Sequence, residues 1–233
     1  MSVPLFKKEL TFMVGISGSG KSTKARNEVN ALNKKAGLTV DPNFSEDAIT
    51  GTIPAGSTDS TDGAGAGSGQ ESVPTTRAFV CSADNFPDLY TDGRINFGLL
   101  GDAHSWCYQS VRMCMEGGHQ VYLDNTNLRP DHWVDYLNLA KEFGYTVRML
   151  TPTNKLLFYE VRGKDRQDQQ LSHVVAVRST GSKVIPADKI REMESLFMNT
   201  MSTILPAKSR CGSDPDKWLQ VAESWVPPRT IRR

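Results

Sequence analysis

Apolar residues in this chain fall into short runs and helical stripes that alternate. Leu10-Thr11-Phe12-Met13-Val14 is an apolar, β-leaning run of strand length, and Thr23 to Leu32 follows with helix-forming composition and apolar residues at helical spacing. A composition break covers Asp41 to Thr76, where Gly56 to Gly69 is a low-complexity Gly/Ser/Thr/Asp/Ala tract. Such a tract has too little apolar surface to order itself, so it reads as a disordered insertion within the domain. Periodicity resumes with a strand at Arg77–Ser82 and a helix at Phe97–Gly117. A strand at His119–Asp124, a helix at Pro130–Phe143 and a strand at Tyr145–Leu150 follow. A last helix is expected from Ala187 to Met201. Strands that alternate with helices predict a parallel sheet covered on both faces, a three-layer α/β/α sandwich. Residues 1–205 form the expected domain, and 206–233 a C-terminal tail with two readings: Trp218 and Trp225 clamp it onto the core, or its basic end, Arg229 to Arg233, touches a nucleic-acid backbone.

The turn between the first strand and helix carries the most specific chemistry. Gly15-Ile16-Ser17-Gly18-Ser19-Gly20-Lys21-Ser22-Thr23 fills every fixed position of the G-x-x-x-x-G-K-[ST] phosphate-binding loop. Strand, glycine loop and helix start together aim backbone N–H groups and a positive helix terminus at phosphates. The glycines Gly15, Gly18 and Gly20 permit the tight turn, and Ser17, Ser19 and Thr23 belong to the same cradle. Lys21 would reach the β- and γ-phosphates, and the Ser22 hydroxyl would ligate Mg2+. The chain is therefore expected to bind a nucleoside triphosphate, with ATP and Mg2+ as cofactors.

Two acids stand at the carboxyl ends of later strands, where sites of such sheets cluster. Asp124 follows an apolar strand and suits a carboxylate near Mg2+; a turn-forming role is the plain alternative. Asp84 suits a base that takes the proton of an attacking hydroxyl, against the plain alternative of a cap or turn residue. A guanine-reading N-K-x-D is missing, since Asn154-Lys155-Leu156-Leu157 lacks the aspartate, and no L-S-G-G-Q transport signature occurs.

Bulk properties narrow the setting. The 233 residues carry a formal net charge of +1, which argues neither for nor against a nucleic-acid partner. The four cysteines show neither C-x-x-C zinc spacing nor a disulfide framework, and Cys107 and Cys114 share one helical face, so buried reduced thiols are expected. With no apolar signal segment and no stretch able to span a bilayer, the expectation is a soluble cytoplasmic protein without membrane contact. His104 and His132 follow loops into helices and are expected to be part-buried or capping residues.

Three blocks carry a family resemblance: Cys81-Ser82-Ala83-Asp84-Asn85-Phe86, Ala103-His104-Ser105-Trp106-Cys107, and Val121-Tyr122-Leu123-Asp124-Asn125-Thr126-Asn127. With Ala140 to Val147 they resemble the P-loop polynucleotide 5′-kinases of the phage and Nedd4-binding-protein type. The resemblance implies a P-loop kinase sandwich with a helical lid, and ATP-dependent phosphorylation of a 5′-hydroxyl RNA or DNA end. Asp84 then matches the general base, and Asp124 the acid of the Walker-B strand. Arg178, in Arg178-Ser179-Thr180-Gly181-Ser182-Lys183-Val184-Ile185-Pro186, matches a lid arginine, with Arg162, Arg166 and Lys183 as spares. The family's arginine a few residues after the base has no counterpart before Arg94. A P-loop kinase acting on a small metabolite or nucleoside, and a non-catalytic nucleotide switch, are the competing expectations. End-healing kinases work beside a ligase or phosphatase; this chain has neither a K-x-D-G nor a D-x-D-x-T motif, so such activity would come from a separate partner.

Overall fold

The computed structural model describes residues 5–38, 41–45, 76–151 and 184–227. Four strands form a parallel sheet: β1 (Glu9–Met13), β2 (Ala78–Cys81), β5 (Gln120–Leu123) and β6 (Thr146–Leu150). Their spatial order is β2-β5-β1-β6, with Leu10 registered against Val121 on one side and Val147 on the other. Among the described residues β2 pairs within this sheet with β5, Phe79 opposite Val121. A separate antiparallel hairpin consists of β3 (Tyr90–Thr91) and β4 (Arg94–Ile95).

The strands are apolar on both faces because both faces are covered. Leu10, Phe12, Phe79, Cys81, Val121, Leu123, Val147 and Met149 point into one core. Helices α2 (Leu100–Glu116), α3 (Val134–Glu142), α4 (Ala187–Cys211) and α5 (Pro215–Ser224) supply its other side, through residues such as Cys107, Leu137, Phe197 and Trp218. Met13, Ala78, Val80 and Tyr122 face the other way, onto Ala25 and Val29 of α1 (Lys21–Lys35). Period-two alternation along each strand thus sorts side chains between two helical layers, which is the expected α/β/α sandwich.

Several boundaries differ from the sequence reading. Asp41 to Ser45, placed by composition in the insertion, run along the outer edge of β2: Val80 N donates to Pro42 O at 2.7 Å and Phe44 N to Val80 O at 3.0 Å. Phe44 is buried there, which gives this short stretch the apolar anchor that the Gly-rich tract lacks. The helix expected to end at Met201 continues to Cys211 despite Pro206. Ile204, Ala207 and Cys211 keep the buried stripe going, and that burial outweighs the hydrogen bond proline removes. The C-terminal stretch is helical too. Asp214 caps α5, Pro215 stands at its first position, and Trp218 is fully buried with its ring 6.4 Å from that of Trp133. Trp225 is buried as well.

Candidate functional site

The loop Gly15–Ser22 emerges from the carboxyl end of β1 and turns directly into α1. Gly20 precedes the helix with φ 82°, and no side-chain hydrogen bond caps the first turn of α1. Gly15 is restricted for a different reason: a Cβ there would lie 2.9 Å from Ser19 Oγ. Lys21 is buried and arches back over the loop, its Nζ donating to Ile16 O at 2.9 Å. The ammonium thus lies against the loop backbone at the helix start, a combination suited to polyphosphate.

Strand order brings the first acid to that volume. β5 lies next to β1, so Asp124, one residue past β5, stands beside the loop. Gly15 N donates to Thr126 O at 3.0 Å, which fixes the two segments together. Asp124 is buried, and burial raises its pKa above the ordinary carboxylate value. The Lys21 ammonium and a hydrogen bond from Ser22 oppose that rise, while the nearby Asp84 charge adds to it. Asp124 Oδ1 is buried with no hydrogen-bond partner among the described residues. An orphaned carboxylate oxygen beside a serine hydroxyl is a hard-oxygen donor set, which fits Mg2+. Among the described residues no group of three or more His, Cys, Asp and Glu side chains is arranged to hold a metal.

Asp84 stands across the site at the end of β2, on a 3-10 turn, Ala83–Asn85. Two hydrogen bonds tie this turn to the Asp124 loop, Ser82 Oγ donating to Asp124 O at 2.9 Å and Ala83 N to Asn125 Oδ1 at 2.9 Å, and a third shapes it, Asp84 N donating to Ser82 Oγ at 3.3 Å. The two acids therefore belong to one hydrogen-bonded unit. Asp84 is exposed and receives a hydrogen bond from the Tyr90 phenol at 3.0 Å.

The sequence-predicted loop residues, Asp84 and Asp124 thus lie at the carboxyl ends of three neighbouring strands. Ser17 is half-buried in the loop, and Thr23 sits exposed on the first turn of α1. Arg178, its spares Arg162, Arg166 and Lys183, and the greater part of the Gly-rich insertion lie outside the described residues. His104 and His132 do not serve as helix caps; both line a cleft of about 780 Å3 beside the Asp124 loop. Both are exposed by surface area, against the expected part-burial; partial desolvation still lowers the pKa of each, and for His104 the Asp84 charge works in the opposite direction. All four cysteines are free and buried; burial drives Cys81 well up and Cys107 to about 12.

Two residues without a role in the sequence reading hold parts of the site by hydrogen bonds. Asn127, with φ 50°, donates through Nδ2 to Met13 O at 2.9 Å, Leu123 O at 3.0 Å and Asn125 O at 3.1 Å. It clamps the ends of β1 and β5 immediately before the phosphate loop and Asp124. Tyr90 is the second, through its hydrogen bond to Asp84. Its hairpin had a readable signal in Asp92-Gly93, which take φ 49° and 75° in the two-residue turn.

Comparison with known proteins agrees with this geometry at the level of the domain. A family model described as an AAA domain, of a P-loop NTPase-like family that includes kinases, matches residues 10–182. No curated relative matches the chain at a significant level.

Proposed function

From the premise that the chain belongs to this AAA-domain family, we propose that it is an ATP-dependent kinase that phosphorylates the 5′-hydroxyl end of RNA or DNA. The observation that carries the reading is the hydrogen-bonded pairing of the Asp84 turn with the Asp124 loop beside the phosphate cradle. That pairing joins two of the three sequence blocks that resemble polynucleotide 5′-kinases; the third, Ala103–Cys107, lies on α2 and reaches the unit where Asn125 Nδ2 meets Cys107 Sγ at 3.5 Å.

Phosphoryl transfer asks a protein mostly to position groups and neutralise charge. The loop amides and Lys21 bind the β- and γ-phosphates of ATP. Ser22 and Asp124 would hold Mg2+, which when bound neutralises charge on the β- and γ-oxygens. The acceptor oxygen forms its bond to the γ-phosphorus in line with the bond that breaks, and that bonding pair leaves with ADP. The proton of the acceptor hydroxyl passes to the Asp84 carboxylate. Arg178 remains the proposed lid cation that meets charge in the transition state.

One observation favours a second reading. Residues 85–93 carry no lysine or arginine to grip an acceptor phosphate beside Asp84, which suits a small hydroxyl acceptor without one. Transfer of labelled γ-phosphate from ATP to 5′-hydroxyl RNA and DNA oligonucleotides separates the two. The expected result is label on the 5′ end, lost in Lys21→Ala and reduced at least about 100-fold in Asp84→Asn. No label from a protein that binds Mg·ATP overturns the polynucleotide reading and leaves the small acceptor.

A further inference from the structure

Asp84 sits on an exposed turn, where a carboxylate would ordinarily sample several rotamers, and its work as a base requires one orientation. One contact that restrains it comes from the β3–β4 hairpin, an element of the fold with no other assigned task. Tyr90 opens the β3–β4 hairpin six residues beyond Asp84 and donates its phenolic O–H to Asp84 Oδ1 at 3.0 Å. A phenolic O–H donates along one direction, so a phenol held in place by the fold fixes the orientation of the carboxylate that accepts from it.

Two-residue strands do not hold a hairpin together alone. This one is fastened at both ends. At its base, Asn96 N donates to Leu89 O at 2.7 Å, and Leu89 is fully buried in the main core. At its tip, Val184 N donates to Gly93 O at 2.7 Å, and Arg94 and Val184 form a parallel bridge just ahead of α4. Tyr90 itself is half-buried and packs on the same core. The phenol is therefore fixed from the protein side, so that it holds the carboxylate and does not merely follow it.

We propose that Tyr90 is a positioning residue for the transfer reaction, holding the Asp84 carboxylate toward the acceptor hydroxyl, and that the β3–β4 hairpin exists at this place to carry it. The inference rests on the reading of Asp84 as base; it is independent of whether the acceptor is an oligonucleotide or a small molecule.

A double-mutant cycle tests it: the full chain, Tyr90→Phe, Asp84→Asn and the double variant, assayed with 5′-hydroxyl oligonucleotides and with nucleosides and sugars as acceptors. Tyr90→Phe keeps the packed ring and deletes one hydroxyl, and thermal melting checks that it folds like the parent. The expected result is a fall in kcat of about 10- to 100-fold, the worth of a hydrogen bond to a charged group, with KM for ATP unchanged. In the Asp84→Asn background the same change should cost less than about twofold, because a partner that acts through Asp84 has nothing left to position. Equal losses in both backgrounds, or an unchanged kcat in Tyr90→Phe, overturn the inference and leave the kinase reading intact. Non-additive losses seen only with small acceptors uphold Tyr90 and overturn the polynucleotide reading. Absence of transfer to every acceptor by a chain that binds Mg·ATP overturns both.

Discussion

Asn127 offers a sharp test of how the site is held together. Its side-chain amide has two hydrogens and faces three carbonyl oxygens, those of Met13, Leu123 and Asn125, at 2.9 to 3.1 Å. Two full hydrogen bonds are thus the most it makes at once, worth about 1 kcal/mol each after the exchange with water. Its φ of 50° is left-handed, which asparagine tolerates and alanine does not, for a further penalty of about 1 kcal/mol. Asn127→Ala is therefore expected to lose about 3 kcal/mol, a fall in Tm of roughly 6 to 12 °C for a chain of this size. Asn127→Asp is the telling comparison. It keeps the shape and the tolerance for that backbone, but it turns a carboxylate oxygen toward the carbonyls, so it should be at least as destabilised as the alanine variant. Urea denaturation gives the ordering, and calorimetric titration with Mg·ATP gives the consequence. Met13 and Leu123 lead into the phosphate loop and Asp124, so both variants should bind nucleotide more weakly than the parent. An aspartate variant within about 1 kcal/mol of the parent would falsify the clamp, because no donor would then be needed there.

Two further outcomes follow from buried groups. Asp124→Asn should abolish transfer while leaving the ligand-free protein as stable as the parent or more so, by up to about 2 kcal/mol. The sign follows from the raised pKa of Asp124: its ionised form is penalised in the fold, the penalty is fully present above the folded pKa, and it is relieved as pH falls through that value toward 3.8. The advantage of the variant in thermal melts should thus shrink on acidification, and an advantage that grew would contradict the assignment of burial as the dominant cause. For the thiols, burial pushes Cys107 to about 12, so at pH 8 only about one such group in 10,000 is thiolate. A thiol-exchanging dye should react slowly with the native protein at pH 8 and titrate all four cysteines at once in guanidinium. Fast reaction of Cys81, Cys107 or Cys114 in the native state would show that the α2 face of the sheet opens.

Much of the fold is legible because its signals are local. Leu10–Val14 reads as a strand because both sheet faces demand apolar residues, and Gly15–Thr23 reads as a phosphate loop because its backbone conformation demands glycine at fixed places. Asp41–Ser45 and the stretch beyond Met201 were misplaced for one reason: a low-complexity neighbour and an internal proline are local warnings, and the burial of Phe44 and Ala207 is a tertiary fact that overrides them. Asp92-Gly93 carried a local hairpin signal, yet nothing near it in sequence announced that Tyr90 would meet Asp84.

Sequence alone determined the alternation of elements, the phosphate cradle and the presence of an acid at the end of two strands. Each of these depends on backbone preferences or periodicity within about fifteen residues, where side-chain chemistry acts on its own chain segment. Tertiary structure decided which of these parts meet. The order β2-β5-β1-β6 sets Asp124 beside Lys21 and hydrogen-bonds its loop to the Asp84 turn, although Asp84 and Asp124 are forty residues apart. Asn127 reaches Met13 O across 114 positions, and Val184 N closes onto Gly93 O. Such contacts leave no period or motif in the chain, because the sheet that creates them is assembled by the burial of two whole faces rather than by any one segment.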